Sequence, residues 1–148
     1  MAGKSAVILL VEDDDAHAAL ITRVMEEEET VSKIYRVSDG EEVLDYLFHK
    51  GCYAKEEDSP RPDLVLLDLR LPKLDGHEVL TAIKQSDDLK VIPVVVLTTS
   101  ENERDIAQAY RSHANSYLVK PLGFREFSEM VQEISSYWLV QNRQPQKG

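Results

Sequence analysis

Cys52 is the one cysteine in the chain, so no internal disulfide can form and a reducing compartment is expected. It stands between Gly51 and Tyr53 in a loop-like stretch with nothing nearby to lower a thiol pKa, and it reads as an unreactive residue. Long hydrophobic runs are also missing. No segment approaches about 18 consecutive apolar residues, and no charged-then-apolar leader opens the chain. A membrane span is therefore not expected, and the expected location is cytoplasmic. Basic charge is scarce: 17 Lys and Arg stand against 27 Asp and Glu, for a net charge of −10. Nucleic-acid binding needs a basic patch to neutralise phosphates, so direct binding of DNA or RNA is excluded, and partners with basic or mixed surfaces are favoured. Internal repeats and low-complexity segments are absent.

What remains is an ordinary globular composition, 43% hydrophobic and 30% charged over 148 residues. That length suits one domain, residues 1–148, with a core that needs no disulfide or structural metal. Short apolar runs alternate with stretches of helical period. Ala6 to Val11, Lys33 to Val37, Val65 to Asp68, Ile92 to Leu97 and Ser116 to Val119 read as buried strands. Between them, helices are expected over Ala16 to Glu28 (Ala19, Leu20, Val24 and Met25 apolar), Glu41 to His49 (Val43, Leu44 and Leu47 inward), Gly76 to Gln85 (Val79, Leu80 and Ile83) and Glu101 to Arg111 (Ile106, Ala107 and Tyr110). A last helix runs over Phe124 to Val140, with Phe127, Met130, Val131, Ile134 and Trp138 on one face. Residues 51–62 carry Gly, two Pro and mixed charge and read as an extended loop, long for a helix-to-strand connection. Residues 142–148 are polar and read as a flexible tail. Five strands alternating with five helices predict an α/β fold, a five-stranded parallel sheet wound on both faces.

The chemistry-bearing residues gather at strand ends. Val7 to Val11 runs into Glu12 and Asp13; Leu64 to Leu67 into Asp68; Val94 to Leu97 into Thr98 and Thr99; and Ser116 to Val119 into Lys120. Open α/β sheets place their ligands outside the carboxyl ends of the strands. Each residue has a plainer explanation alone: a helix cap for Glu12 to Asp15, a turn acid for Asp68, a cap for Thr98 and Thr99, a surface lysine for Lys120. Together they form a set those explanations leave unaccounted for. Magnesium needs only one or two carboxylates beside its waters and a phosphate oxygen, which Glu12, Asp13 and Asp68 can supply. A carboxylate can also attack phosphorus. Lys120 would hold a phosphoryl oxygen as a point charge, and Thr98 would donate its hydroxyl to another.

The segments Val11-Glu12-Asp13-Asp14, Leu66-Leu67-Asp68-Leu69-Arg70-Leu71-Pro72 with Asp75-Gly76, Val96-Leu97-Thr98-Thr99 and Tyr117-Leu118-Val119-Lys120-Pro121, with 30 residues from Asp68 to Thr98 and 22 from Thr98 to Lys120, resemble the receiver domain of two-component response regulators. The resemblance covers residues 5 to 140 and implies the flavodoxin-like (βα)5 fold. It implies Asp68 as phosphoacceptor, assisted by Lys120 and Thr98. Glu12, Asp13, Asp68 and the Arg70 backbone carbonyl would be the ligands of Mg2+, Thr98 and Tyr117 a switch pair, and the Lys120–Pro121 bond cis. The 51–62 loop, the segment Val94 to Ser100 and the Tyr137-Trp138-Leu139 ending resemble the small regulators paired with bacterial phytochromes.

The family implies a sensor histidine kinase as phosphoryl donor, a phytochrome among the candidates, and a downstream protein target or phosphotransfer protein. Tyr110, Tyr117, Tyr137 and Trp138 mark a candidate homodimer face made by the Glu101–Arg111 helix, the fifth strand and the last helix. As an enzyme the chain would catalyse only its own phosphorylation and dephosphorylation. His17, His49, His77 and His113 have no metal spacing and read as surface residues. Two other readings compete. An aspartate-nucleophile phosphatase wants a second acid where Arg70 stands, and a degenerate, phosphorylation-independent binding module sits badly with an intact set of Glu12, Asp13, Asp68, Thr98 and Lys120.

Overall fold

In a computed structural model of the chain, residues 6–28 and 31–141 are described. Strands β1 (Ala6–Val11), β2 (Val31–Val37), β3 (Leu64–Leu67), β4 (Val94–Thr98) and β5 (Ser116–Val119) alternate with helices α1 (Asp15–Glu26), α2 (Gly40–Phe48), α3 (Gly76–Gln85), α4 (Glu103–Arg111) and α5 (Phe124–Ser135). All strand pairs are parallel, in the order β2-β1-β3-β4-β5. The chain steps outward from β1 to β2 and then returns to the other side of β1 with β3. The carboxyl ends of β1 and β3 thus flank the point where the winding reverses, the crevice that open α/β sheets leave for ligands.

Alternation along the strands builds two cores. Leu9, Val11, Val65, Leu67, Val94 and Val96 face one side and pack with Val43, Tyr46 and Leu47 of α2, Val79, Leu80 and Ile83 of α3, and Ala109 of α4. Ile8, Leu10, Leu64, Leu66, Val95 and Leu97 face the other and pack with Ala18, Ile21 and Met25 of α1 and Phe127, Val131 and Ile134 of α5. Strands buried on both faces explain why they read as continuous apolar runs.

Four helices start on side-chain caps. Asp14, Asp39, Asp75 and Asn102 accept from the backbone N–H groups of His17, Glu42, Glu78 and Arg104, which satisfies donors left free by the first turn.

Several expectations are corrected here. Helix α4 begins at Glu103, and its buried residue is Ala109, while Tyr110 is half exposed and Ala107 exposed. A nine-residue helix with few apolar residues gives too weak a periodicity to fix its face. In α1, Ala18 and Ile21 are buried and Ala19 is exposed. The last α-helix ends at Ser135 and continues as a π-helical turn over Ser136–Gln141. The 51–62 segment is not a featureless loop: it holds two short 3-10 turns, Gly51–Tyr53 and Glu56–Asp58, pinned by the fully buried Ser59. The Ser59 hydroxyl contacts the Tyr53 and Lys55 carbonyls, both at 3.1 Å, and His49 Nδ1 at 3.0 Å. The expected tail, 142–148, falls outside the described residues.

Candidate functional site

Neighbouring strands deliver the acids. The Asp68 N–H donates to the Val11 carbonyl (3.0 Å) and the Glu12 N–H to Val37 (3.1 Å), so the ladder continues one step past β1 and fixes both acids at its edge. Glu12 and Asp68 are buried and Asp13 is exposed. A ligand oxygen from each of the three lies within 4.8 Å of the others.

Lys120, also buried, answers this negative charge. Its backbone N–H donates to Thr98 O (2.7 Å), which holds the end of β5 against β4. Its ammonium donates to Glu12 Oε1 at 2.6 Å and to Asp68 Oδ2 at 2.9 Å. The remaining oxygens are partly occupied: Asp68 Oδ1 accepts from the Arg70 N–H (3.1 Å) and Glu12 Oε2 from the Asp14 N–H (3.2 Å).

One ammonium against three carboxylates leaves the cluster negative. Burial, with the Asp68 charge adding to it, pushes Glu12 up to about 7 from an ordinary 4.5, against the opposing bond from Lys120. An oxygen-lined, electronegative pocket that resists holding its full charge fits a hard divalent cation.

Gly76 makes the geometry below Asp68 feasible. A Cβ there would fall 2.5 Å from Leu69 Cα and 2.6 Å from the Asp68 carbonyl oxygen, both backbone atoms that cannot step aside. The Gly76 N–H donates to Leu69 O (2.8 Å), so α3 starts directly beneath the strand end.

Thr98 is fully buried at the end of β4. Half-buried Tyr117, paired in register with Val96, donates its hydroxyl to Ser100 O (2.9 Å). From Ser100 a polar chain runs outward. Its hydroxyl donates to Asp105 Oδ2 (2.5 Å), and Asp105 Oδ1 meets His77 Nε2 (3.0 Å). The Ser100 bond, then the one from His77, holds the Asp105 carboxyl below its usual value.

The fold therefore brings Glu12, Asp13, Asp68 and Lys120 together and sets Thr98 and Tyr117 on the adjoining strands. What touches Asp68 from residue 70 is the N–H. The described residues contain no cis peptide bond, so Lys120–Pro121 is trans, contrary to expectation. Trans is the lower-energy isomer of an X-Pro bond, and here Lys120 reaches both acids from it. Three histidines also depart from the surface reading: His49, through its contact with the buried Ser59 hydroxyl, and the two at the sheet edge. His17 Nδ1 lies 2.9 Å from Lys120 Nζ, and the His77 ring, largely buried, contacts Asp105. Metal spacing was the wrong test for them. A residue in the first turn after a strand end is carried to the sheet edge whatever its spacing, and that signal was present for both.

Residues 8–132 match the family described as response regulator receiver domain. The chain belongs to the response regulator receiver family. A probable methanogenesis regulatory protein, FilR2, of Methanothrix harundinacea is 51% identical over 140 residues, 94% of this chain and 87% of that protein. Response regulator Rcp1 of a Synechocystis species is 48% identical over 133 residues, 90% of this chain and 88% of its own. Among solved structures, the Mn(2+)-bound form of Rcp1 superposes with a TM-score of 0.89 at 46% identity, covering 95% of this receiver and 99% of that chain. The phosphorylated cyanobacterial phytochrome response regulator RcpA gives 0.91 at 42% identity, covering 96% and 99%. The five-stranded parallel sheet with five helices is thus the flavodoxin-like receiver fold, and receivers of this kind bind a divalent metal. Among the described residues, no helix is long and apolar enough to cross a membrane.

Proposed function

We propose that this receiver takes a phosphoryl group from a sensor histidine kinase onto a carboxylate oxygen of Asp68. A P–N bond of a phosphohistidine breaks and an Oδ–P bond forms. The observation that carries the reading is the Lys120 ammonium, buried between Glu12 and Asp68 at 2.6 and 2.9 Å. It sits where an incoming phosphoryl oxygen needs a cation.

Glu12, Asp13, Asp68 and the Arg70 carbonyl would hold Mg2+, which when bound neutralises the carboxylates and the incoming group. Lys120 then exchanges its bond to Asp68 for one to a phosphoryl oxygen. Thr98 turns its hydroxyl toward a second oxygen, and Tyr117 gives up Ser100 O to follow the space Thr98 leaves. Phosphorylation adds about −1.5 to −2 of charge and three acceptor oxygens, enough to bias such a two-state element.

We take residues 1–148 as a single cytoplasmic receiver whose output is protein contact: a downstream target, a phosphotransfer protein, or a second copy docking through α4, β5 and α5. The similarity to RcpA, a cyanobacterial phytochrome response regulator, favours a phytochrome as the kinase.

Beryllium fluoride with Mg2+ mimics a phosphoryl group on a carboxylate. Titrated into the protein, it is expected to shift the backbone amides of Thr98, Ser100 and Tyr117 only when both are present, and to raise the sedimentation coefficient toward a dimer. Unmoved amides would overturn the phosphoacceptor reading, and an unchanged sedimentation coefficient would remove the dimer.

A further inference from the structure

The Lys120 ammonium has three hydrogens and three acceptors. Two are the acids, Glu12 Oε1 and Asp68 Oδ2. The third is His17 Nδ1, at 2.9 Å, from the first turn of α1 and outside every motif that marks the family in this sequence. An ammonium N–H can donate to that nitrogen only if it carries a lone pair, so the contact selects the neutral imidazole with its proton on Nε2. Phe127 of α5 meets the ring edge-on, with centroids 5.4 Å apart at 65°, and limits how it can turn.

We propose that His17 is a positioning residue for phosphoryl acceptance: its neutral imidazole holds the Lys120 ammonium from the α1 side, so that the ammonium keeps its place when its bond to Asp68 passes to a phosphoryl oxygen. This rests on Asp68 being the phosphoacceptor. Without His17, Glu12 is the one protein group that holds the ammonium once its bond to Asp68 has passed to a phosphoryl oxygen.

The arrangement is sensitive to protonation of the ring. The charged groups facing His17 are Lys120 from the end of β5, with Glu12 and Asp68 behind it, and Asp14, whose Oδ2 is 3.8 Å from Nδ1. Arg23 stands farther along α1 on the same groove, a cavity of about 300 Å³ between α1 and the turn into α5. From α5 the ring meets Phe127. The imidazole is about a third exposed, so protons reach it. A protonated ring would set one cation 2.9 Å from another, with Asp14 on the open side to receive it.

The test compares wild type, His17→Asn and His17→Phe. Asn puts an amide oxygen near the Nδ1 position and does not titrate, whereas Phe keeps the ring against Phe127 and has no lone pair. Rates of acetyl phosphate labelling with Mg2+ are read by intact mass at mildly alkaline pH. Asn is expected to stay within about twofold of wild type and Phe to be about tenfold slower, the loss of one positioning hydrogen bond. Phe labelling like wild type, or Asn labelling as slowly as Phe, would overturn the proposal.

Nitrogen NMR of the His17 ring and the Lys120 ammonium reads the contact without any phosphoryl group. The Nε2–H tautomer with an acceptor Nδ1 at alkaline pH is expected. The other tautomer overturns the inference, even if labelling itself succeeds. Failure of the wild type to label at all strikes instead at Asp68 as phosphoacceptor.

Discussion

Two of three clustered carboxylates share one ammonium at the edge of this sheet, and Glu12 bears the cost. Its folded pKa of about 7 stands above its ordinary 4.5 chiefly because it is buried. Between those two values the folded chain keeps a proton that the unfolded chain releases. The metal-free stability that Glu12 contributes is therefore complete below about 4.5 and is lost as pH rises through about 7. Glu12→Gln removes that dependence. Urea melts in a chelator should show wild type losing, relative to Glu12→Gln, on the order of 2 kcal/mol between acid and neutral pH. Parallel curves would mean the burial cost is not there. A divalent ion must displace the same proton, so its affinity should fall as pH drops below 7. Most of this cluster was legible in the sequence, because a buried strand delivers its last residue to the sheet edge regardless of context. For His17 and His77 the sequence held only their place in the first turn after a strand end; their partners, Lys120 and Asp105, lie 103 and 28 residues away.

Among the helices, α4 is docked differently. Its only buried side chain is Ala109, and polar contacts take the place of an apolar face: Ser100 and His77 both bind Asp105. That chain also touches the switch residues, since the Ser100 N–H approaches Thr98 Oγ1 (3.4 Å) and Tyr117 holds Ser100 O. A helix held this way opens more easily than one held by Val79, Leu80 and Ile83, as α3 is. Asp105→Ala should speed amide exchange across Glu103–Arg111 by the equivalent of about 1.5–3 kcal/mol, the usual worth of hydrogen bonds to a charged group, and leave Gly76–Gln85 unchanged. Equal protection in variant and wild type would show that apolar packing, not the polar chain, holds α4. The sequence placed this helix to within two residues but turned the wrong face inward. With little apolar surface to bury, its orientation is set by Asp105, whose partners come from the β4–α4 turn and α3. The 51–62 segment hid its order for a similar reason, because a serine and tyrosine hydroxyls hold it rather than a periodic apolar pattern: Tyr46 to Pro60 O (2.7 Å), Tyr53 to Glu42 (2.6 Å).

At the scale of the whole molecule, a parallel sheet buried on both faces supplies a rigid frame, and the reversal between β1 and β3 leaves one crevice at its carboxyl edge. The frame and crevice followed from the alternation of five apolar runs with five helical stretches. Nothing in the fold requires Glu12, Asp13, Asp68, Thr98 and Lys120 to end those strands together; that coincidence is the functional signal. The central claim is that the crevice makes Asp68 a phosphoacceptor, and intact mass tests it most directly. After incubation with acetyl phosphate, wild type with Mg2+ should gain one phosphoryl group. Wild type without a divalent ion, and Asp68→Asn with one, should gain none. A gain that survives Asp68→Asn, or no gain in wild type with Mg2+, would contradict the account.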